Sequence, residues 1–315
     1  MTFVAIMAVV FKEEPGIPNQ FITSINEVHL YLKREDLLHA EISGNKFRKL
    51  KYNVQRAISE NRDRLLTFGG AFSNHISATA AAGKNFNLKT VGVIRGEELG
   101  EDLKKTLREN PTLAYAAACG MEFNFVPRSD YREKTSEDFI RELRKKYGDF
   151  YLVPEGGTNS EAIRGCEEIL SEEDKEFEVV CCAVGTGGTI SGIINSSADK
   201  QKILGFPALK GDFLLADIDK FSRKNNRELI TKYHFGGYAK IDKALVDFIN
   251  EFKTAYGVAL DPVYTGKMLY GIFELMRSGY FSQNTRILAI HTGGLQGIAG
   301  MNMKLKKKGL PQIDV

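Results

Sequence analysis

The sequence predicts an α/β protein built on parallel sheets, and three observations carry that expectation. Short β-branched, apolar runs alternate with amphipathic stretches of about 10–15 residues, the pattern of successive βαβ units. The chain has 315 residues, which at about 150 per domain makes room for two domains or one large one. Three of the expected strands run into a glycine-rich or small polar turn that opens a helix. Junctions of that kind gather ligands at the carboxyl edge of an open sheet.

In chain order, residues 1–7 are expected to form an extended start. The opening MTFVAIMAVVF is apolar but short, and it lacks the basic leader and small-residue cleavage site of a secretory signal. VHLYLK at 28–33 alternates apolar and polar residues, which predicts a strand. An amphipathic helix is expected over 46–60. Apolar runs predict strands over 64–68, 89–94, 122–126 and 150–153. The stretches 74–84, 102–119 and 133–147 between them are amphipathic and long enough for helices. A helix over 160–173 leads to EVVCCAV at 178–184, a short apolar, β-branched run expected to be a strand. A helix over 190–197, strands over 202–206 and 228–230 and helices over 242–256 and 267–278 come next. A strand over 285–290 and a helix over 294–308 end the alternation. The turn Pro154-Glu155-Gly156-Gly157-Thr158 closes about four strand–helix units; it is either a hinge or an ordinary strand-to-helix connection.

Composition narrows the function classes. Hydrophobic residues are 43% and charged residues 26% of the chain, close to globular averages, so disorder and collagen-like repeats are excluded. No apolar run reaches the ~18 residues of a membrane span. A net charge of +3, from 43 basic and 40 acidic residues, is too balanced for a nucleic-acid or membrane-surface partner. Cys119, Cys166, Cys181 and Cys182 form no C-x-x-C pair, which argues against a disulfide scaffold or a zinc site; no metal is expected, and a reducing, cytoplasmic setting fits.

The three junctions are Leu65 to Gly83, Val179 to Gly192 and Arg286 to Gly297. In the second, Gly185, Gly187 and Gly188 let the backbone turn sharply, Thr186 and Thr189 add hydroxyls, and the next helix presents free N–H groups and its positive dipole end. That is a phosphate cradle. It is not a Walker A loop, since no Gly-Lys-Ser/Thr follows, and Ile190 stands where a dinucleotide fingerprint needs its third glycine. A tight structural turn is the alternative. The first junction opens its helix with Ser73-Asn74-His75. Capping accounts for one of these polar residues, and a second anion such as a substrate carboxylate would account for the others. His75 reads more readily as a structural hydrogen-bonder than as an acid–base group. Lys46, Lys49 and Lys51 follow a turn at 42–45, and solvation is the default for such a charge run. A desolvated lysine beside a phosphate site is, however, a nucleophile towards aldehydes. In the turn Asp261-Pro262-Val263-Tyr264-Thr265-Gly266-Lys267, Tyr264 fits either a core residue with a satisfied hydroxyl or a proton shuttle.

Taken together, SGNKFRKLKY (43–52), FGGAFSNH (68–75), VGTGGTISG (184–192), DPVYTGK (261–267) and HTGG (291–294) resemble the pyridoxal-phosphate enzymes of the 1-aminocyclopropane-1-carboxylate deaminase and D-cysteine desulfhydrase family. The match runs in the family's order from about residue 15 to 305. The resemblance implies the tryptophan synthase β-subunit-like fold, with two parallel-sheet α/β domains. A large cofactor-binding domain would take residues 1–49 and 156–315, and a small domain residues 50–155. It implies pyridoxal 5′-phosphate as cofactor, a small amino-acid substrate and a homodimer. Lys46 would bind the cofactor covalently and then carry the substrate's α-proton. Asn74 would hydrogen-bond the pyridine O3′ oxygen, Gly185, Thr186, Gly187, Gly188 and Thr189 would cradle the phosphate, and Thr292 would face the pyridine nitrogen. Tyr264 would lie over the substrate, and Ser73 would be placed for attack or proton transfer. The stretch 233–238 loosely resembles a further tyrosine loop of the family.

The resemblance also bears on the reaction. The family's deaminases carry Tyr-Glu where this chain has Tyr264-Thr265. A carboxylate at the pyridine nitrogen favours its protonated form, from which cyclopropane ring opening benefits, whereas a threonine hydroxyl does not. Thr265 therefore points to β-elimination from D-cysteine or a related amino acid, yielding pyruvate, ammonia and sulfide. Ring opening and cysteine-synthase-like β-replacement are the enzymatic alternatives. A pyridoxal-phosphate- or amino-acid-binding protein without turnover is the non-enzymatic one, and the missing third glycine argues against a dinucleotide binder.

Overall fold

The computed structural model describes residues 16–211 and 213–314; the extended start expected over 1–7 lies outside the described residues. Two sheets organise them. The first strands, β1 (Asn19–Ile25) and β2 (Val28–Lys33), form an antiparallel pair. The chain then builds a four-stranded parallel sheet from β3 (Arg64–Gly69), β4 (Lys89–Arg95), β5 (Met121–Val126) and β6 (Tyr151–Val153), in the order β5-β4-β3-β6. It returns to the first sheet with β7 (Val179–Val184), β8 (Lys202–Pro207), β9 (Arg227–Leu229) and β10 (Arg286–Ile290), giving β1-β2-β10-β7-β8-β9. Every pairing except β1 with β2 is parallel.

Strand β7 shows why these runs are strands. All six residues of VVCCAV are buried. Val179, Cys181 and Ala183 enter one hydrophobic cluster, and Val180, Cys182 and Val184 enter another. A period of two sends alternate side chains to opposite faces, and helices cover both. Burying each valine contributes about 1.5–3 kcal/mol.

The strand orders locate the site before any side chain is considered. In the four-stranded sheet the chain moves outward from β3 to β4 and β5, while β6 lies on the other side of β3. In the larger sheet it moves from β7 to β8 and β9, while β10 lies on the other side of β7. Each sheet therefore has a switch point, β3/β6 and β7/β10, where consecutive crossovers leave in opposite directions and open a crevice at the carboxyl ends.

Some expectations are corrected. Strand β1 was not expected; it is an edge strand with Phe21 half exposed, so its sequence carries little apolar signal. The sheets are thus parallel apart from this antiparallel edge. The single helix expected over 102–119 is two, Leu103–Glu109 and Pro111–Ala118. Proline cannot continue a helix but starts one well, and the Asn110 side chain caps the second by accepting from the Leu113 amide. The helix expected over 160–173 ends at Cys166. Short helices at Glu98–Glu101, Arg128–Arg132 and Phe213–Asp219 were not expected. No helix among the described residues is long and apolar enough to cross a membrane.

Candidate active site

A cavity of about 690 Å³ takes its walls from the loops that follow β3, β6, β7 and β10, the four strands at the two switch points. Its size is typical of a small-molecule or cofactor site.

Lys46 stands in this wall because of a backbone fit. Gly44 has φ +59°, and a Cβ there would lie 2.1 Å from the Thr292 carbonyl oxygen. Only glycine lets the turn dock on the loop after β10, where the Asn45 amide donates to that same oxygen at 3.3 Å. The helix Asn45–Ser59 then starts with Lys46 in its first turn. The buried ion pair of Arg48 with Glu35, 2.9 Å, holds the helix in place from its other side. Removing one partner from such a pair costs about 3–5 kcal/mol. Lys46 Nζ donates to Asn45 Oδ1 at 3.0 Å, and Asn45 Nδ2 donates to Thr189 Oγ1 at 2.8 Å, so the lysine is linked to the glycine loop. Desolvation pushes the Lys46 amine down to about 7, and the Lys49 ammonium adds to the drop.

Lys49 corrects the expectation of a solvated charge run. It is buried, and its ammonium donates to the Gly156 carbonyl at 2.9 Å and to Thr158 Oγ1 at 3.3 Å. The sequence signal was its spacing: three residues after Lys46, it shares that residue's helix face. Lys51, on another face, pairs with Glu168 at 2.6 Å.

The loop after β7 is built as a cradle. Gly187 has φ +80° and caps the helix Gly188–Ser196. A Cβ on Gly188 would lie 2.8 Å from Thr158 Oγ1 and 3.0 Å from Lys49 Nζ. Thr186 Oγ1 and Thr158 Oγ1 are 2.6 Å apart. Backbone amides at a helix N-terminus, hydroxyls and a buried ammonium thus converge on one spot, a donor set matched to a phosphate dianion. Accordingly, Gly188→Val is expected to weaken cofactor binding at least ~100-fold, about 2.7 kcal/mol. The apoprotein should lose less stability than that, although the new side chain also overpacks Thr158. Calorimetry on the apoprotein and a cofactor titration check this, and an equal loss of apoprotein stability would favour a purely structural turn.

Ser73 and Asn74 line the cavity at the start of the helix Asn74–Phe86. Ser73 also caps that helix, accepting from the Ile76 amide at 3.4 Å. His75 turns inward. Thr67 Oγ1 donates to the Val153 carbonyl, so it accepts from His75 Nε2 at 2.8 Å. Burial, with Lys46 and Lys49 nearby, holds the imidazole well below its ordinary pKa, so it stays neutral.

Tyr264 packs over the glycine loop: a Cβ on Gly185 would lie 3.1 Å from its ring. Burial keeps its phenol protonated, with a pKa well above the ordinary value. Thr292 lines the cavity, whereas Thr265 is fully buried outside it. The Thr265 hydroxyl donates to Asp261 Oδ2 at 2.6 Å and accepts from the Asp261 amide at 3.1 Å. Asp261 Oδ1 accepts from the Val263 and Tyr264 amides at 2.9 and 2.8 Å, and Oδ2 also accepts from the Thr265 amide at 2.8 Å. Four donors use up the acceptor sites of this carboxylate. The other carboxylate in the cavity wall, Glu155, accepts from Tyr131 Oη at 2.8 Å and pairs with Lys134 at 3.3 Å. Asp261, Thr158 and Lys49 are the site residues that sequence reasoning missed. Asp261 lies within a motif it had singled out, but nothing in that motif indicates that its carboxylate faces the helix amides.

The chain is similar to several known proteins along most of its length. A family model described as "Pyridoxal-phosphate dependent enzyme" matches residues 15–293. The chain is 33% identical over 309 residues to the mitochondrial bifunctional D-cysteine desulfhydrase/1-aminocyclopropane-1-carboxylate deaminase of Arabidopsis thaliana, covering 90% of this chain and 75% of that protein. It is 26% identical over 302 residues to a 1-aminocyclopropane-1-carboxylate deaminase of a Bradyrhizobium strain, covering 87% and 88%. A crystal structure of a homologue of that deaminase superposes with a TM-score of 0.81 at 28% identity, covering 97% of this chain and 98% of that one.

Proposed function

The chain belongs to the pyridoxal-phosphate dependent enzymes, and we propose that it eliminates sulfide from D-cysteine or a closely related small amino acid, releasing pyruvate and ammonia. One observation carries this reading: neither carboxylate in the cavity wall is free. Asp261 is used up by four donors, and Glu155 is paired with Lys134. With Thr292 as its partner, a bound cofactor's pyridine nitrogen would have no acidic group to keep it protonated. Elimination of a good leaving group tolerates that; ring opening does not. The names of the relatives favour the second reading, deamination of 1-aminocyclopropane-1-carboxylate, and the Arabidopsis protein is named for both reactions.

Bound pyridoxal phosphate supplies an electron sink for the α-carbon. The chain's own residues do the rest. The 185–189 loop and Lys49 would hold the phosphate, Asn74 the O3′ oxygen, and the amides around Ser73 and Asn74 the substrate carboxylate. Lys46, whose amine is half neutral near pH 7, holds the cofactor and then takes the α-proton at Nζ. The C–S bond breaks, and Tyr264 or Ser73 donates a proton to the departing sulfur. Both line the cavity and carry a hydroxyl proton. One water completes the conversion to pyruvate and ammonia. In the same reading residues 1–49 and 156–315 are the large domain and 50–155 the small one, and the protein is a cytoplasmic homodimer.

The handedness is tested by offering the purified holoenzyme D-cysteine and L-cysteine separately and measuring sulfide. Release from the D-enantiomer at least ~100-fold faster in kcat/KM is the expected result. Equal rates, or a preference for L-cysteine, would move the substrate assignment to L-amino acids.

A further inference from the structure

Lys267 is a buried lysine that none of these steps uses. It lies in the first turn of the helix Thr265–Arg277, three residues after Tyr264. Its ammonium donates to the carbonyls of His234, at 2.9 Å, and Gly237, at 2.8 Å. Both carbonyls belong to the loop that follows β9. Each accepts a second bond from within that loop, His234 O from the Gly237 amide and Gly237 O from the Lys240 amide. The loop is irregular: Phe235, Gly236, Gly237 and Ala239 all have positive φ, from +53° to +117°. For Phe235 and Ala239 that backbone is unfavourable and persists only where the surroundings hold it. The loop carries Tyr238, which lines the cavity although 45% exposed, its ring edge to face with Tyr264 at 6.3 Å.

We propose that Lys267 is a positioning residue that pins this loop so that Tyr238 closes the mouth of the cavity beside Tyr264. Packing alone gives no reason for a lysine here, because burying an ammonium costs desolvation that an apolar side chain avoids. No carboxylate among the described residues lies within ion-pair distance of it; its partners are two carbonyls on a segment that is otherwise strained. One helical turn thus carries both Tyr264 and the tether for Tyr238. Burial pushes the Lys267 amine down to about 8, so the tether is charged at neutral pH and weakens above it. The titratable groups around it are Asp261 on the preceding turn, Tyr233, His234 and Tyr238 on the loop, and Lys210 and Lys240 beside the loop's glycines.

The test compares wild-type, Lys267→Met and Lys267→Arg holoenzymes by hydrogen–deuterium exchange and steady-state kinetics. The kinetic arm rests on the elimination reading; the exchange arm does not, so failure of D-cysteine turnover leaves the proposal testable. Lys267→Met should speed exchange across 234–240 at least ~10-fold relative to β7 and raise KM at least ~5-fold. It should leave kcat and the cofactor absorbance within about twofold. Lys267→Arg, which keeps the charge and the donors, should restore protection. Unchanged exchange in the loop, or loss of cofactor with the loop still protected, overturns the proposal. Should Lys267→Met not fold, the wild-type enzyme decides. Corrected for intrinsic rates, loop protection should fall several-fold from pH 7 to 9, and a flat profile overturns the proposal.

Discussion

Lys46→Ala is expected to yield a folded, colourless protein with at least ~10⁴-fold lower kcat/KM. Two contributions are lost together: the covalent hold on the cofactor and the group that takes the α-proton. A positioned general base alone contributes about 10²–10⁴-fold, and covalent attachment adds to it. Wild-type enzyme reduced with borohydride should carry the cofactor on Lys46, and peptide mapping reads that directly. Label on Lys49 or Lys51 would show that the nucleophile is misassigned. The pH dependence has a definite sign. The neutral amine is the reactive form, and its pKa is lowered to about 7. Attachment to the apoprotein should therefore be fast above pH 7 and slow progressively as the pH falls through 7. An ordinary lysine would show this fall near 10.5. Lys49→Met should move the midpoint upward, because the neighbouring ammonium contributes to the drop.

Much of this site is legible in the sequence, because it is made of backbone turns. Glycine at 44, 185, 187 and 188 marks places where chain approaches chain or ligand, and such places announce themselves locally. Lys46 is legible only through its neighbours, since spacing puts Lys46 and Lys49 on one helix face but does not say whether that face is buried. Lys49 illustrates the limit. Its burial depends on the turn at 156–158 arriving from the other sheet, a contact more than 100 residues away in sequence. Asp261 illustrates it differently: four short hydrogen bonds consume its carboxylate, and no spacing rule reports how many donors a carboxylate meets. Element boundaries failed where local chemistry changed without a change in hydrophobic pattern. Asn110-Pro111 ends one helix and starts another inside a continuous amphipathic stretch. The edge strand β1 fully buries only Ile22, too little to pattern it.

The second large effect concerns the reaction itself. The resemblance carried by the motifs puts Thr265 in the place of the deaminases' glutamate, and the Thr265 hydroxyl is bound to Asp261 rather than facing the cavity. Ring opening forms a carbanion-like species without prior loss of an α-proton and so leans on a protonated pyridine ring. Elimination of thiolate does not, because the leaving group departs readily. The most direct measurement is a steady-state comparison of D-cysteine and 1-aminocyclopropane-1-carboxylate on the same holoenzyme. Sulfide and pyruvate are read for the first substrate and 2-oxobutanoate for the second. Pyruvate, ammonia and sulfide are expected in equal amounts from D-cysteine, with kcat/KM for the cyclopropane substrate lower by at least ~10³-fold, about 4 kcal/mol of transition-state stabilisation. Efficient 2-oxobutanoate release, with no sulfide from D-cysteine, would contradict it.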